Sequence, residues 1–192
     1  IRDELGIGQQ AFLVGGVGRL EPIKGFEYLI EAAKVLSRSH PDIHYLHAGA
    51  GSLDTKSQAS AAPLKQRFQF LGLRNDIPSI MAALDVLVVP SVNEGMGRVV
   101  LEAGAAGTPV IASEVGGLPE VVLDGKTGMI VPARDPDAIA GAIDRLYVDS
   151  QLLREYGDAA RAFVVPEFSI ENMVKHIEST YEELLREKRI DP

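Results

Sequence analysis

Short apolar runs alternate with longer amphipathic segments along this chain, and the two periodicities predict strands separated by helices. The strands are predicted at residues 11–18, 43–48, 68–71, 86–89, 110–112 and 128–131. The helices are predicted at residues 25–39, 77–84, 98–106, 137–147, 151–164 and 170–188, with a short helical turn through Val122. Residues 51–62 are small and polar, and we expect a loop with an irregular helix there.

Two of these elements show their patterns clearly. The first predicted helix carries apolar side chains at helical spacing, namely Phe26, Leu29, Ile30, Ala33 and Leu36. Residues 86–89 are short, apolar and rich in valine, which is typical of a strand buried on both faces. The helix at residues 98–106 ends at Gly107 and Pro109, which both interrupt helices.

Strands that alternate with helices predict parallel β-α-β units and hence an α/β fold. We expect one domain over residues 1–192, with a doubly wound, Rossmann-like parallel sheet of six strands. Ligands of such sheets bind outside the carboxyl ends of the strands. The glycine-rich segments of this chain follow predicted strands, so we expect them to converge on one site at that edge.

Composition narrows the classes of function. With 192 residues, 46% of them hydrophobic, the chain is long enough to bury a core. Its formal net charge of −8 argues against a general nucleic-acid-binding surface, which would need a basic face. Cysteine is absent, which excludes disulfides and thiolate metal sites. The histidines are scattered rather than grouped, so no metal site is predicted.

The segment from Pro90 to Ser113 carries the most chemistry. It reads P-S-V-N-E-G-M-G-R-V-V-L-E-A-G-A-A-G-T-P-V-I-A-S, with seven residues between Glu94 and Glu102. A strand, a glycine turn and a helix in this order direct free backbone N–H groups and a helix dipole at the strand end. Amides suit an anion and carboxylates accept from hydroxyl groups, so a phosphate-bearing ligand with hydroxyls fits such a site.

The first glycine-rich segment adds two cations. Gly16-Val17-Gly18-Arg19-Leu20 is followed by Lys24-Gly25, and it lacks the glycine pattern of dinucleotide folds and of P-loops. Arg19 and Lys24 could stabilise the charge of a departing diphosphate, or they could be solvated loop cations.

The two glutamates leave an alternative open as well. Each could be an ordinary helix-surface residue that interacts with the helix dipole. Glu102 is flanked by Val99, Val100, Leu101, Ala103 and Ala105, so we expect it to be buried on most sides and to need hydrogen-bond donors.

Together these segments resemble the donor site of family 4 (group 1) retaining glycosyltransferases, which have the GT-B architecture of two Rossmann-like domains. A third segment, Gly116-Gly117-Leu118-Pro119-Glu120, shares the resemblance. It covers essentially the whole chain but only the carboxy-terminal half of a typical member. We therefore expect a nucleotide-sugar donor-binding domain, with the amino-terminal acceptor domain outside this sequence.

The resemblance also implies roles for individual residues. Arg19 and Lys24 would contact the donor phosphates, Glu94 the transferred sugar and Glu102 the ribose hydroxyls. We expect Arg19, Lys24 and Glu94 to be catalytic. The substrate-binding residues would be Gly18, Arg74, Gly95, Met96, Gly97, Arg98 and Glu102. The segment Leu71-Gly72-Leu73-Arg74 resembles the loop whose backbone holds the nucleotide base, and Arg98 could either contact the ligand or cap the pocket.

The implied activity is transfer of a hexose-type sugar from a nucleoside diphosphate sugar to an acceptor hydroxyl, with retention and without a metal or other cofactor. The acceptor would be a sugar, lipid or polysaccharide bound by the missing domain, and nucleic acid is not an expected partner. A cytoplasmic location is expected, and peripheral association of the intact enzyme with a membrane is compatible with it. The alternatives are an epimerase-like GT-B enzyme and a non-catalytic nucleotide-sugar-binding domain.

Overall fold

The computed structural model describes residues 1–188, which form a parallel sheet covered by helices on both faces. The strands are β1 (Phe12–Val17), β2 (Ile43–Ala48), β3 (Phe68–Phe70), β4 (Val86–Val89), β5 (Val110–Ser113) and β6 (Gly128–Val131). The helices are α1 (Phe26–Leu36), α2 (Asp54–Ala61), α3 (Ile77–Ala83), α4 (Arg98–Ala106), α5 (Leu118–Val121), α6 (Pro136–Val148), α7 (Ser150–Glu167) and α8 (Ile170–Lys188).

The six strands lie in the order β3-β2-β1-β4-β5-β6, and every pairing between neighbours is parallel. The doubly wound, Rossmann-like fold predicted from the sequence is therefore confirmed. The chain builds outward from β1 to β3 and then returns to place β4 on the other side of β1. The switch point lies between β1 and β4, and open parallel sheets bind their ligands in the crevice there.

Alternate residues of each central strand face two separate hydrophobic layers. Val14, Val86 and Val88 pack into the layer that contains α1 and α6. Leu13 and Leu87 pack into the opposite layer, which contains α3 and α4. All five side chains are buried, and each such burial contributes roughly 1.5–3 kcal/mol. These two layers hold the strand ends, and therefore the loops that follow them, in fixed positions.

Two glycines within β1 serve packing. A Cβ atom on Gly15 would lie 2.2 Å from Leu84 Cδ1, and one on Gly16 would lie 2.8 Å from Phe26 Cε1. Both positions fall within the strand predicted at residues 11–18. These glycines let α1 and the residue after α3 approach the strand closely, and the turn begins at Gly18.

One secondary-structure expectation needs correction. The residues expected to form a loop with an irregular helix contain the regular helix α2, followed by a 3-10 segment at Ala62–Arg67. The break falls at Lys65, whose φ of +53° lies in the left-handed region. Local polarity misled the prediction, because α2 buries only Ser57 and Ala61 and so has almost no apolar face. Among residues 1–188, no helix combines the length and apolar character needed to cross a membrane.

Candidate functional site

A hollow lined by predicted site residues opens above the carboxyl ends of β1 and β4, at the switch point. Its volume is about 730 Å³, and its walls are formed by Val17, Gly18, Arg19, Lys24, Glu94, Met96, Gly97, Arg98, Val99 and Glu102. A smaller hollow of about 230 Å³ reaches Ile23, Asn93 and Gly95, and another of about 220 Å³ reaches Ala48, Gly49, Ala50, Leu73, Arg74 and Ile77. Arg19 lines all three, so we treat them as one cleft.

Lys24 and Glu94 form an ion pair at the centre of this cleft. Lys24 Nζ lies 2.5 Å from Glu94 Oε2, and the two side chains are only 24% and 14% exposed. The hydroxyl of Ser91 donates to the same carboxylate oxygen at 3.1 Å. Glu94 is therefore held by two donors, and its other oxygen is the one that remains for a further partner. Ser91 itself was missed by sequence reasoning, although a polar residue in the loop after a buried strand was the available signal.

The loops that carry this pair are joined through their backbones. Lys24 ends a short 3-10 turn at Pro22–Lys24, and Gly25 follows with a φ of +64°. A Cβ atom on Gly25 would lie 2.1 Å from the carbonyl oxygen of Pro90. The N–H of Val92 donates to the carbonyl of Ile23 at 2.9 Å. The ion pair therefore bridges two loops that already touch along their main chains.

The third glycine-rich segment packs against the backbone of the turn that carries Glu94. A Cβ atom on Gly116, whose φ is +52°, would lie 1.8 Å from the carbonyl oxygen of Glu94. The N–H of Gly117 donates to the carbonyl of Gly95 at 2.8 Å. This double glycine therefore allows close approach of the loop after β4.

Helix α4 presents its amino terminus to the cleft. It begins after Gly97, which has a φ of +69° and no side chain that could cap the first turn. The free N–H groups of such a turn, with the positive end of the helix dipole, form a suitable site for an anion. Gly97 and the first residues of α4 line the main hollow, so this end of the helix is open to a ligand.

Glu102 is not buried on most sides, as the sequence predicted, but lines the hollow with 40% of its side chain exposed. The buried residues of α4 are Val100, Ala103 and Gly104, whereas Arg98, Val99 and Glu102 line the hollow. Glu102 Oε1 lies 3.6 Å from a guanidinium nitrogen of Arg98, whose side chain is 87% exposed. Such an exposed i,i+4 pair is worth only a few tenths of a kcal/mol, so a ligand can displace it.

Arg74 lines the smaller hollow, but its guanidinium is already engaged. It binds Asp76 at 2.7 and 2.8 Å and Glu4 at 2.6 and 3.2 Å. These bonds to Arg74 lower the pKa of Asp76 to about 2, and they raise the pKa of Arg74 itself. A ligand in this hollow would therefore meet the loop around Arg74 rather than a free guanidinium.

The cationic side chains of the cleft differ in whether they already have a carboxylate partner. Lys24 is paired with Glu94, and Arg98 is weakly paired with Glu102. Arg19 is exposed and makes no ion pair with any residue among 1–188. Its neighbour Glu21 turns to the loop after β2 and accepts from the N–H and hydroxyl of Ser52 at 3.0 and 2.6 Å. Neither Glu21 nor Ser52 was singled out from the sequence, because nothing local shows that these loops meet.

The chain contains one Asp-x-Asp sequence, at Asp135–Asp137, and it lies outside the cleft. Its first carboxylate caps α6 by accepting from the N–H of Ala138 at 2.9 Å. This sequence is therefore part of a helix cap.

The fold and cleft thus define an α/β domain with a crevice at the switch point of its sheet, lined by cations, carboxylates and the start of a helix. Residues 1–163 match the family described as glycosyl transferases group 1. The D-inositol 3-phosphate glycosyltransferase of Corynebacterium urealyticum is 36% identical over 95% of this chain. The alpha-maltose-1-phosphate synthase of Mycolicibacterium smegmatis is 38% identical over 86% of it. The chain therefore belongs to the group 1 glycosyl transferase family.

Solved structures agree with this assignment. HepE of Anabaena in complex with UDP superposes with a TM-score of 0.85 at 29% identity, covering 95% of this chain and 51% of HepE. The carboxy-terminal domain of LpcC from Francisella tularensis gives 0.76 at 32% identity, covering 83% of this chain and 87% of that domain. The chain spans 46% of the length of both curated relatives named above.

Proposed function

We propose that this domain binds a nucleoside diphosphate sugar and serves as the donor half of a retaining glycosyltransferase. One observation carries the proposal. A single cleft at the switch point brings together Arg19, Lys24, the amino terminus of α4 and two carboxylates. Cations with free amides suit a diphosphate, and carboxylates suit the hydroxyls of ribose and hexose. The UDP bound to HepE, a structural relative, supports the same class of ligand.

The diphosphate would lie between the β1 loop and the start of α4. Arg19 would contact it directly, because this guanidinium has no competing carboxylate within 4.0 Å among the described residues. Lys24 would contribute from its pair with Glu94, and the amides that follow Gly97 would complete the cradle. The base would occupy the hollow beside Gly49 and Arg74.

The two carboxylates would hold the sugar units. Glu102 would exchange its weak contact with Arg98 for the ribose hydroxyls, which also frees Arg98 to approach the ligand. Glu94, fixed by Lys24 and Ser91, would accept from the transferred hexose in the hollow that contains Asn93 and Gly95. Because the turn beside it consists of Gly95, Met96 and Gly97, the sugar could approach the backbone closely.

In the proposed reaction, the bond between the anomeric carbon and the phosphate oxygen breaks, and the electron pair stays on the diphosphate. The acceptor hydroxyl attacks from the same face, and the departing phosphate takes its proton. Arg19 and Lys24 would stabilise the charge that develops on the leaving group. We propose that these side chains take the place of a divalent metal. Retention, the acceptor and a cytoplasmic site of action belong to this proposal for the whole protein.

The test is calorimetric titration of the chain with UDP, GDP and ADP and with the matching nucleosides. Arg19→Ala and Lys24→Ala should each weaken diphosphate binding about tenfold or more, since a charge-assisted hydrogen bond contributes roughly 1.5–3 kcal/mol. Nucleoside binding should change little. Arg38→Ala removes an exposed cation outside the cleft and is the matched control. Equal losses for nucleoside and diphosphate would contradict the phosphate assignment.

A further inference from the structure

The loop after β1, residues 18–25, carries both proposed phosphate-binding cations, and its middle is fixed by the loop after β2, residues 49–53. The N–H of Leu20 donates to the carbonyl of Ala50 at 3.3 Å, and the N–H of Leu53 donates to the carbonyl of Leu20 at 2.9 Å. A Cβ atom on Gly51 would lie 2.5 Å from the carbonyl oxygen of Leu20. These contacts hold Leu20, which lies next to Arg19 in the chain.

Glu21 adds a side-chain link between the same two loops. Its Oε1 accepts from the N–H of Ser52 at 3.0 Å, and its Oε2 accepts from the hydroxyl of Ser52 at 2.6 Å. The Ser52 hydroxyl and N–H, with a smaller effect from the charge of Arg19, hold the pKa of Glu21 below its usual range. Glu21 is therefore an anion at neutral pH that uses both oxygens on one residue of the neighbouring loop.

The position of this anion would be unfavourable if the loop acted on the ligand only through the charges of its side chains. Glu21 lies two residues after Arg19 and three before Lys24, where a negative charge should repel a diphosphate. Yet its carboxylate makes no ion pair with Arg19, and the main chain around it is tightly turned. The N–H of Glu21 donates to the carbonyl of Arg19, and the N–H of Lys24 donates to the carbonyl of Glu21, both at 2.9 Å. Glu21 thus anchors the turn that separates the two cations.

We propose that Glu21 is a positioning residue, whose contact with Ser52 holds this turn so that Arg19 faces the diphosphate of the donor. The inference rests on the proposed function. Without the contact, the Glu21 carboxylate would be free to pair with Arg19, which has no other carboxylate partner among residues 1–188. Ser52 therefore keeps the anion occupied and leaves the guanidinium available.

The experiment titrates the chain and its variants with UDP and with uridine by calorimetry. Glu21→Ala should bind UDP about three- to tenfold more weakly, the equivalent of one ordinary hydrogen bond, although it removes a negative charge. Ser52→Ala should act in the same direction while keeping the charge. Uridine binding should be unchanged in both. Glu114→Ala removes an exposed carboxylate after β5, at the same edge of the sheet, and is the matched control.

Two further variants separate positioning from general structural support. In an Arg19→Ala background, Glu21→Ala should have almost no effect on UDP, because the side chain that it positions is gone. Glu21→Gln keeps one acceptor oxygen for Ser52 and should restore part of the affinity. A loss that is the same with and without Arg19 would assign Glu21 to loop stability alone and overturn the inference.

Tighter binding of UDP to Glu21→Ala would also overturn it, since simple charge removal predicts that result. If thermal denaturation shows that Glu21→Ala is not folded, Ser52→Ala and Glu21→Gln provide the same comparison of UDP with uridine. If the native chain binds UDP no better than uridine, the proposed function itself fails and the inference fails with it. A native preference for UDP that persists unchanged in all the Glu21 and Ser52 variants contradicts the inference alone.

Discussion

His47 should make the stability of this domain depend on pH in a calculable way. The imidazole is 1% exposed at the carboxyl end of β2, and its ring packs edge-on against Phe26 with centroids 4.3 Å apart. Burial lowers its pKa from 6.5 to about 4, because the protonated ring would lose its hydration. At about 1.4 kcal/mol per pH unit, this difference amounts to roughly 3 kcal/mol.

The sign follows from which state binds the proton. Above pH 6.5 the ring is neutral in both states, and the whole contribution to stability is present. Between pH 6.5 and about 4 the unfolded chain is protonated while the folded chain is not, so stability falls as the pH falls. Below about pH 4 both states carry the proton, and the loss is complete. A loss of roughly 3 kcal/mol is a large share of the 5–15 kcal/mol typical of a domain.

The assay is urea unfolding followed by circular dichroism at a series of pH values between 7 and 4. His47→Leu removes the titrating group but keeps an apolar side chain of similar size, so its stability should fall less with acid than that of the native chain. The difference between the two curves should approach 3 kcal/mol at the acid end. His176→Leu, at an exposed position of α8, controls for loss of a histidine. Parallel curves for the native chain and His47→Leu would refute the reasoning.

Three further predictions concern the cleft. Gly116→Ala should weaken UDP binding at least tenfold, since its Cβ would lie 1.8 Å from the Glu94 carbonyl oxygen. Gly125→Ala is the control and should leave UDP binding unchanged, because Gly125 is also at positive φ but has no atom within 4 Å of the added Cβ. Equal UDP affinities of the two variants in a titration would contradict this prediction. EDTA should leave UDP binding unchanged, and restoration by magnesium of a lost affinity would show that a metal neutralises the diphosphate. Glu102→Gln should weaken the binding of UDP by about 1–3 kcal/mol and that of 2′-deoxy-UDP clearly less. If the two changes are additive in this double cycle, Glu102 does not contact the ribose 2′-hydroxyl.

The architecture could be predicted from the sequence because each element carries its own local signal. The valine-rich run of β4 and the periodic apolar positions of α1 depend on nearest neighbours along the chain, and both elements were found. The parallel, doubly wound arrangement then follows from general rules of topology, whereas the strand order comes from the structure. Convergence of Arg19, Lys24, Glu94 and Glu102 on one cleft could also be predicted, since each follows a strand whose carboxyl end lies at the same edge.

The sequence could not show how the loops contact one another. The pairing of Lys24 with Glu94 joins residues that are 70 positions apart. The contact between Gly116 and the Glu94 carbonyl depends on the relative height of two loops, which no local pattern encodes. Glu102 was misjudged because its sequence neighbours are apolar, although on a helix the neighbours at i±3 and i±4 decide burial. Two of those neighbours, Arg98 and Ala105, are exposed, and Arg98 also lines the cleft.

The charge balance of the cleft suggests how an acidic domain could select one kind of phosphate ligand. The net charge of −8 repels polyanions, and two of the three cations in the main hollow already have a carboxylate partner. A ligand that offers only phosphate would leave Glu94 and Glu102 unpaired beside its own negative charge, at a cost in desolvation and repulsion. A ligand that also offers hydroxyl groups satisfies both carboxylates while it takes the cations. On the proposed function, the cleft would thus favour molecules that carry both groups at the right separation, as a nucleoside diphosphate sugar does.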